Sequence, residues 1–388
     1  MRRRDRTLSV RSPLARVIAL PFSDDAPPTD REAEHRALVA LLGLPGIGPA
    51  RARTLAAHLG SFAEAFCAPA RRLAAVPGIG SDRGVRLFGF DGWNAVDEQF
   101  RRAERAGATS VAEADDAFPP LLRTMYDPPA LLWMRGTLLP QDERAVAVVG
   151  TRRATDAGRR AAYRLAFDLA EAGWTIVSGL AYGIDAAAHE GALDAGGRTV
   201  AVLGSGVDRI YPQRHHALAE RIAEAGALLS EEPMGAKPDA VHFPKRNRLI
   251  AGMTRGTVVA EAFEAGGALL TARLALDYNR EVFALPWDAS HASGAGGNRL
   301  IQRGEAQLVL SAADVLAVFG ETAAPPVPKP PLPPDQQRLA DALAAAPLTL
   351  DDLCLALGLD TSHALVTLLA MEMSGAVRRL PGGLFATG

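Results

Sequence analysis

The segment Ala145-Val146-Ala147-Val148-Val149-Gly150-Thr151-Arg152-Arg153-Ala154-Thr155-Asp156-Ala157-Gly158 passes from an uninterrupted apolar run into a glycine, a basic loop and an acidic helix start. A short, continuous, β-branched run with no polar alternation is the pattern of a strand buried on both faces of a sheet. The same grammar repeats on either side. Apolar runs at 130–134, 174–178, 199–203, 227–230, 257–261, 281–285 and 307–310 alternate with amphipathic stretches of helix length. Residues 115–321 therefore read as an α/β domain, Rossmann-like and doubly wound around a mostly parallel sheet.

Outward from this domain the pattern changes. Residues 31–112 carry apolar positions at helical spacing, with an internal echo: Leu44-Pro45-Gly46-Ile47-Gly48 and Val76-Pro77-Gly78-Ile79-Gly80 each precede a helix. Paired glycines permit a tight turn, and the following helix offers free N–H groups to a phosphate, the helix-hairpin-helix (SAM-like) pattern. Such hairpins also serve simply to pack small helical domains. Residues 1–30 read as a disordered basic tail. Its apolar piece, 17–20, is too short for a signal sequence. On the other side, residues 323–334 form a proline tract expected to act as a stiff spacer. Residues 335–388 read as three helices closed by a hairpin, a winged helix. Its candidate recognition helix, Ser362-His363-Ala364-Leu365-Val366-Thr367-Leu368-Leu369, carries no Arg, Lys or Asn, which favours a protein-interaction module over a DNA reader.

The chain has 388 residues and 48% hydrophobic content, enough for two or three cores. No run approaches the ~18–20 apolar residues of a membrane span. The two cysteines, Cys67 and Cys354, fall in separate candidate domains and suit neither a disulfide framework nor a zinc site, so a cytoplasmic setting without a metal is expected. Net charge is only −2, so any case for nucleic acid rests on local clustering.

In an open α/β sheet, ligands bind beyond the carboxyl ends of the strands. Gly150, Thr151 and Arg152 occupy such a place and offer close backbone approach, a hydroxyl and a guanidinium fork. The loop Gly204-Ser205-Gly206 does not complete a dinucleotide fingerprint, and no loop has the Lys-Ser/Thr of a P-loop, so no cofactor is expected. Asp185 and His189, four apart on one helix, read as a helix-start carboxylate and an ordinary hydrogen-bonded histidine. Between Ala240 and Ala260 lie Lys245, Arg246, Arg248 and Arg255 with no carboxylate, and Phe243 beside them supplies an aromatic face. Backbone charge plus stacking is how single strands are held without sequence readout. The competing reading is a basic helix face salt-bridged to Glu231, Glu232 or Glu261.

Several motifs follow one another along the domain: Gly150-Thr151-Arg152, then Ser178-Gly179-x-Ala181-x-Gly183-Ile184-Asp185-x-x-x-His189, then Gly204-x-Gly206-x-Asp208-x-x-Tyr211-Pro212 and Ser230-Glu231. Phe243-Pro244-x-Arg246-Asn247-Arg248-x-Ile250-Ala251-Gly252, Glu261-Ala262 and Gly297-Asn298-x-Leu300-Ile301 complete the series. In this order they resemble the DNA-processing DprA/Smf family. The resemblance implies a non-enzymatic protein that binds and protects single-stranded DNA, forms a homodimer through the Rossmann-like domain and loads the RecA recombinase in natural transformation. Carried over by position, Gly150, Thr151 and Arg152 would hold a phosphate, and Ser178 and Gly179 would line the same pocket. Phe243, Lys245, Arg246 and Asn247 would complete the groove. Thr151 stands where serine is commoner. Gln213 stands where a lysine often follows Tyr-Pro, with Arg214 as the candidate substitute cation. The alternative is an enzyme of the nucleoside-monophosphate phosphoribohydrolase type, with Glu261 or Asp185 as its carboxylate.

Overall fold

In the computed structural model the described residues are 30–321, 332–373, 376–380 and 382–387, so the expected basic tail and proline tract lie largely outside them. The chain divides into two compact units, residues 1–322 and 323–388.

The first unit opens with helices α1 (Asp30–Leu42), α2 (Pro49–Leu59), α3 (Glu64–Cys67), α4 (Ala70–Ala74), α5 (Gly80–Phe88) and α6 (Trp93–Arg105). The two glycine turns echo each other in space as well as in sequence. Arg51 donates to the carbonyl of Gly46 (2.9 Å) and to that of Gly78 (3.0 Å), clamping one hairpin to the other. Gly46 and Gly78 have φ of +79° and +78°, a conformation that favours glycine.

The nine-stranded sheet found among the described residues comprises β1 (Ala108–Ala112), β2 (Leu131–Gly136), β3 (Ala145–Gly150), β4 (Thr175–Ser178), β5 (Thr199–Val202), β6 (Ala227–Ser230), β7 (Gly256–Glu261), β8 (Glu281–Ala284) and β9 (Gln307–Leu308). The spatial order is β1-β2-β6-β5-β4-β3-β7-β8-β9. From β6 to β9 every pairing is parallel, and only β1 and β2 run antiparallel to their neighbours. From β3 the chain builds outward through β4, β5 and β6, then returns to lay β7 on the other side of β3. That reversal is a topological switch point, where strand-end loops diverge and leave a crevice.

Helices α7 (Pro120–Arg123), α8 (Asp156–Glu171), α9 (Ile184–Asp194), α10 (His216–Ala225), α11 (His242–Gly252), α12 (Gly267–Asp277), α13 (Ala295–Gln302) and α14 (Ala312–Val318) surround the sheet. Strand alternation divides the apolar residues between two cores. Leu132, Val200 and Val202 pack with Leu249, Ala268 and Ala272 on one face. Leu131, Trp133, Ala201 and Leu203 pack on the other with α10 and with Leu38, Leu41 and Leu55 of the helical domain.

Two departures from the sequence reading follow. Residues 108–112, placed in the helical segment, form edge strand β1 paired to β2, because five residues are too few to display a period. The Asp115 carboxylate fastens this join by accepting from the Ala112 amide (2.8 Å) and pairing with Arg31 (2.8 Å) and His35 (3.0 Å). The run 307–310 pairs only at Gln307–Leu308, leaving Leu308 and Leu310 45% and 74% exposed.

The second unit contains α15 (Pro334–Ala345), β10 (Leu348–Thr349), α16 (Leu350–Leu357), α17 (Thr361–Met373), β11 (Val377–Leu380) and β12 (Leu384–Thr387). Three helices close on the sheet β10-β12-β11, and Leu339, Leu353, Leu368, Met371 and Phe385 fill the core of a winged helix.

Because the helical domain and the sheet share one core, residues 30–321 are expected to unfold together. Truncation of the 2%-exposed Trp133 to alanine should cost about 3–5 kcal/mol in urea denaturation. Hydrogen exchange should show α1–α6 and β2–β6 losing protection in the same transition. Separate transitions would contradict the shared core.

Candidate nucleic-acid interface

The loops at the carboxyl ends of β3 and β7 enclose a pocket of about 330 Å³ at the switch point. Gly150, Thr151 and Arg152 line it from β3, Phe243, Arg246 and Asn247 from α11, and Gly266, Gly267 and Thr271 from the start of α12. The packing here forbids side chains. A Cβ at Gly150 would lie 2.7 Å from the Glu261 carbonyl oxygen and 2.8 Å from Ile184 Cβ. The Thr151 amide donates to that same Glu261 carbonyl (2.7 Å), and the Thr151 hydroxyl accepts from the Arg153 amide (3.1 Å). The loop is thereby fixed while Arg152 stays exposed, its guanidinium 4.6 Å from the Phe243 ring centroid. No ion pair engages Arg152 among the described residues.

The Arg246 guanidinium, by contrast, is buried at the base of the pocket. It is 6% exposed and donates to the carbonyls of Gly179 (2.6 Å) and Val202, while its Nε donates to the Asn247 Oδ1 (3.2 Å). Burial lowers its pKa to about 10, against the opposing influence of Asp185. Asp185 in turn accepts from the amides of Gly179 (3.1 Å) and Ala181 (3.3 Å), and burial raises its pKa despite Arg246 and these donors. Arg246, expected to complete the nucleic-acid groove, has its guanidinium engaged as a clasp joining the ends of β4 and β5. It also orients Asn247, whose carbonyl faces Arg246 and whose amide donors are left for the pocket.

Ser178 and Gly179 depart from the expectation in a related way. The Ser178 hydroxyl is fully buried and donates to the Val148 carbonyl (2.7 Å). Gly179 has both backbone polar groups engaged, and a Cβ there would overlap the Arg246 guanidinium. Both support the pocket floor without facing the ligand space. Arg214 is exposed on the short turn Gln213–His215 and does not line the pocket. Lys245 is exposed on the opposite side of α11.

The four-cation cluster is accordingly dispersed. Arg248 pairs with Glu231 and Asp127, which bears out the salt-bridge reading for that residue. Arg255 lies at the other end of the sheet, donating to the Glu143 carbonyl (3.2 Å).

The sequence reading passed over the N-terminus of α12. Its N-cap is Gly266, no side chain caps it, and a Cβ on Gly267 would meet nothing within 4 Å, so backbone N–H groups open onto the pocket. Together with Arg152 and Asn247 they form a donor set suited to a phosphate. The signal was present: Gly266-Gly267 stands between a strand and a helix, as Gly150 does. Glu261 and His189 are internal. Glu261 accepts from the Thr155 amide (2.9 Å) beneath α8 and is fully buried. Thr199 donates to the Ile176 carbonyl (2.8 Å), so the His189 Nδ1–H donates to Thr199 (2.7 Å).

The clasp and the groove residues should respond differently to mutation. Arg246→Ala leaves a buried carboxylate uncompensated and should cost about 3–5 kcal/mol in urea unfolding. Arg152→Ala should stay within about 0.5 kcal/mol of the parent. Burial lowers the His189 pKa to about 3 from its ordinary 6.5, so the folded state favours the neutral ring. Its contribution is fully present above pH 6.5 and is lost as pH falls from 6.5 towards 3. His189→Gln should flatten that part of the stability–pH curve measured by thermal unfolding.

Comparison with known proteins agrees with this architecture. A family model described as DNA recombination-mediator protein A matches residues 109–320. The DprA winged helix domain matches residues 323–383, and a SAM-like helix-hairpin-helix tandem matches 38–87. The chain is 39% identical over 280 residues to the Smf protein of Synechocystis sp., which covers 71% of this chain and 70% of that protein. It resembles the X-ray structure of DNA processing protein A from Streptococcus pneumoniae with a TM-score of 0.65 at 34% identity, over 73% of this chain and 97% of that one. DNA processing protein A from Helicobacter pylori, whose structure gives insight into a single-stranded DNA binding mode, is similar with a TM-score of 0.50 at 30% identity, over 55% of this chain and 95% of that one. A family model spanning more than half the chain, the relatives and the shared three-part layout together establish that this chain belongs to the DNA recombination-mediator protein A family, the DprA/Smf proteins.

Proposed function

We propose that this chain binds single-stranded DNA by its sugar-phosphate backbone across the carboxyl ends of β3 and β7. It protects the strand and delivers it to the RecA recombinase in natural transformation and recombination. The observation that carries the reading is the set of uncommitted donors converging on one pocket: the Arg152 guanidinium, the Asn247 amide and the first N–H groups of α12, with Phe243 as an aromatic face beside them. None of these groups reads a base edge, so binding is sequence-tolerant. In this reading the DNA is held without chemical change. The carboxylates an enzyme would need are tied down, Asp185 by two backbone amides and Glu261 beneath α8. The working form is a cytoplasmic homodimer assembled through the α/β domain, for which exposed Leu308 and Leu310 offer an apolar patch beside the open edge of the sheet.

Fluorescence anisotropy with labelled oligo-dT across a salt series tests the reading. Affinity should fall with salt, with a log–log slope of about −0.7 for each phosphate neutralised. Arg152→Ala should weaken binding and make the slope shallower by about one contact. Salt-independent binding, or full affinity in Arg152→Ala, would overturn it. Release of free base from AMP would return the phosphoribohydrolase alternative. Light scattering of the free protein measures the dimer.

A further inference from the structure

Helix α11 is a wall between two cavities. Phe243, Arg246, Asn247 and Ile250, spaced three and four apart, face the strand-end pocket. Lys245 and Arg248 face a second cleft of about 820 Å³ between the helical domain and the sheet. This volume falls in the range of ligand sites, roughly 300–1,000 Å³.

The cleft's walls are largely apolar, with Leu42, Ile47, Phe90, Leu131 and Trp133 among them. Its charged groups are almost all paired. Arg53 pairs with Glu113 (2.6 Å), Arg248 with Glu231 and Asp127, and Glu232 with His242 (3.4 Å). Lys245 is the charged lining residue without an ion pair among the described residues, and it leaves one uncommitted cation on helix α11, the wall shared with the strand-end pocket. Tyr126 stands on the rim 72% exposed, its ring held 5.1 Å from that of Tyr278. Tyr278 is itself anchored by donating to Asp127 (2.8 Å). Gly48, Pro49 and Ala50 of the first helical hairpin also line the cleft, and Gly48 caps α2 without a side chain.

We infer that the cleft is a second nucleic-acid subsite, which takes bases of the same strand as it leaves the strand-end pocket over the first turn of α11. Lys245 meets the phosphate at the crossing, Tyr126 gives a face for stacking, and the apolar walls receive unstacked bases. Continuity favours this occupant: the unpaired Lys245 lies on the helix that the two cavities share. Stacking on an exposed aromatic tolerates any base, as a protein without sequence readout requires. The helical domain thereby joins the binding surface, whereas the hairpin motif alone favoured packing over phosphate contact.

This inference rests on the single-strand reading above, and oligonucleotide length separates the two. Anisotropy is measured for oligo-dT of about 6 nucleotides and of about 20, bracketing typical site sizes of roughly 4–16 nucleotides. The full-length protein is compared with Tyr126→Ala, Ala50→Glu and Arg152→Ala. Ala50 is exposed in the first turn of α2, where a carboxylate suits the helix dipole, so its replacement preserves the fold while placing negative charge in the cleft. Tyr126→Ala and Ala50→Glu should leave the short oligonucleotide within about twofold and weaken the long one at least about fivefold. Arg152→Ala should weaken both. If the two cleft variants bind the long oligonucleotide as tightly as the parent, the cleft serves a protein segment or a small molecule and the inference is overturned while the strand-end reading stands. If Arg152→Ala also binds both normally, the two fall together.

Discussion

The structure is organised around a cation buried at the carboxyl end of the sheet. Arg246 crosses from α11 to the backbone of β4 and β5, and Asp185 reaches from α9 to the same Gly179 loop. Taking these charges out of water costs several kcal/mol each, and the carbonyl and amide partners offset that cost only when all are in place. The clasp therefore has a single working arrangement. It fixes where α11 begins, and with it the positions of Phe243, Asn247 and Lys245. The absence of a side chain at Gly179 follows from the same interaction, since the guanidinium occupies that space.

Much of this was legible beforehand. Long-period regularities were readable: the alternation of apolar runs with helices gave the parallel sheet, and the doubled glycine turns gave the helical domain. Strand-end loops were readable as places, which is why Gly150, Thr151 and Arg152 fell in one pocket with Phe243 and Asn247. Direction was not readable. Arg246 and Lys245 are adjacent in sequence, yet one is buried under the pocket and the other faces a different cavity, because helical geometry turns successive side chains by about 100°. A carboxylate-free stretch likewise says nothing about carboxylates arriving from elsewhere, and Glu231 and Asp127 do arrive at Arg248. The α12 N-terminus was overlooked because its donors are backbone groups, which no side-chain pattern displays. The edge strand 108–112 was too short to show its period.

The charge distribution has a common logic. The chain carries 42 arginines and lysines and 44 acidic residues, and many of the arginines fasten one element to another. Arg198 binds Asp142 and the Thr137 carbonyl, Arg135 binds Glu220, and Arg144 binds Glu321, which also accepts from the Trp174 indole. Cations committed in this way add nothing to a groove, so the local arrangement of the uncommitted ones matters more than the total. A nearly neutral protein can thus present a local groove without a strongly attractive field over its whole surface.

The placement of β3 has a consequence for how the molecule comes into being. This central strand pairs on one side with β4, which follows after a single helix, and on the other with β7, which the chain reaches only after β5, β6 and α11 have been made. The helical domain likewise shares its core with strands β5 and β6, synthesised well after it. Contacts of such sequence separation carry a large loop-closure cost and slow folding. A nascent chain ending before Glu261 has the β3 loop but lacks the carbonyl that holds Thr151 in place. The strand-end pocket is therefore assembled late, when the central strand acquires its second neighbour.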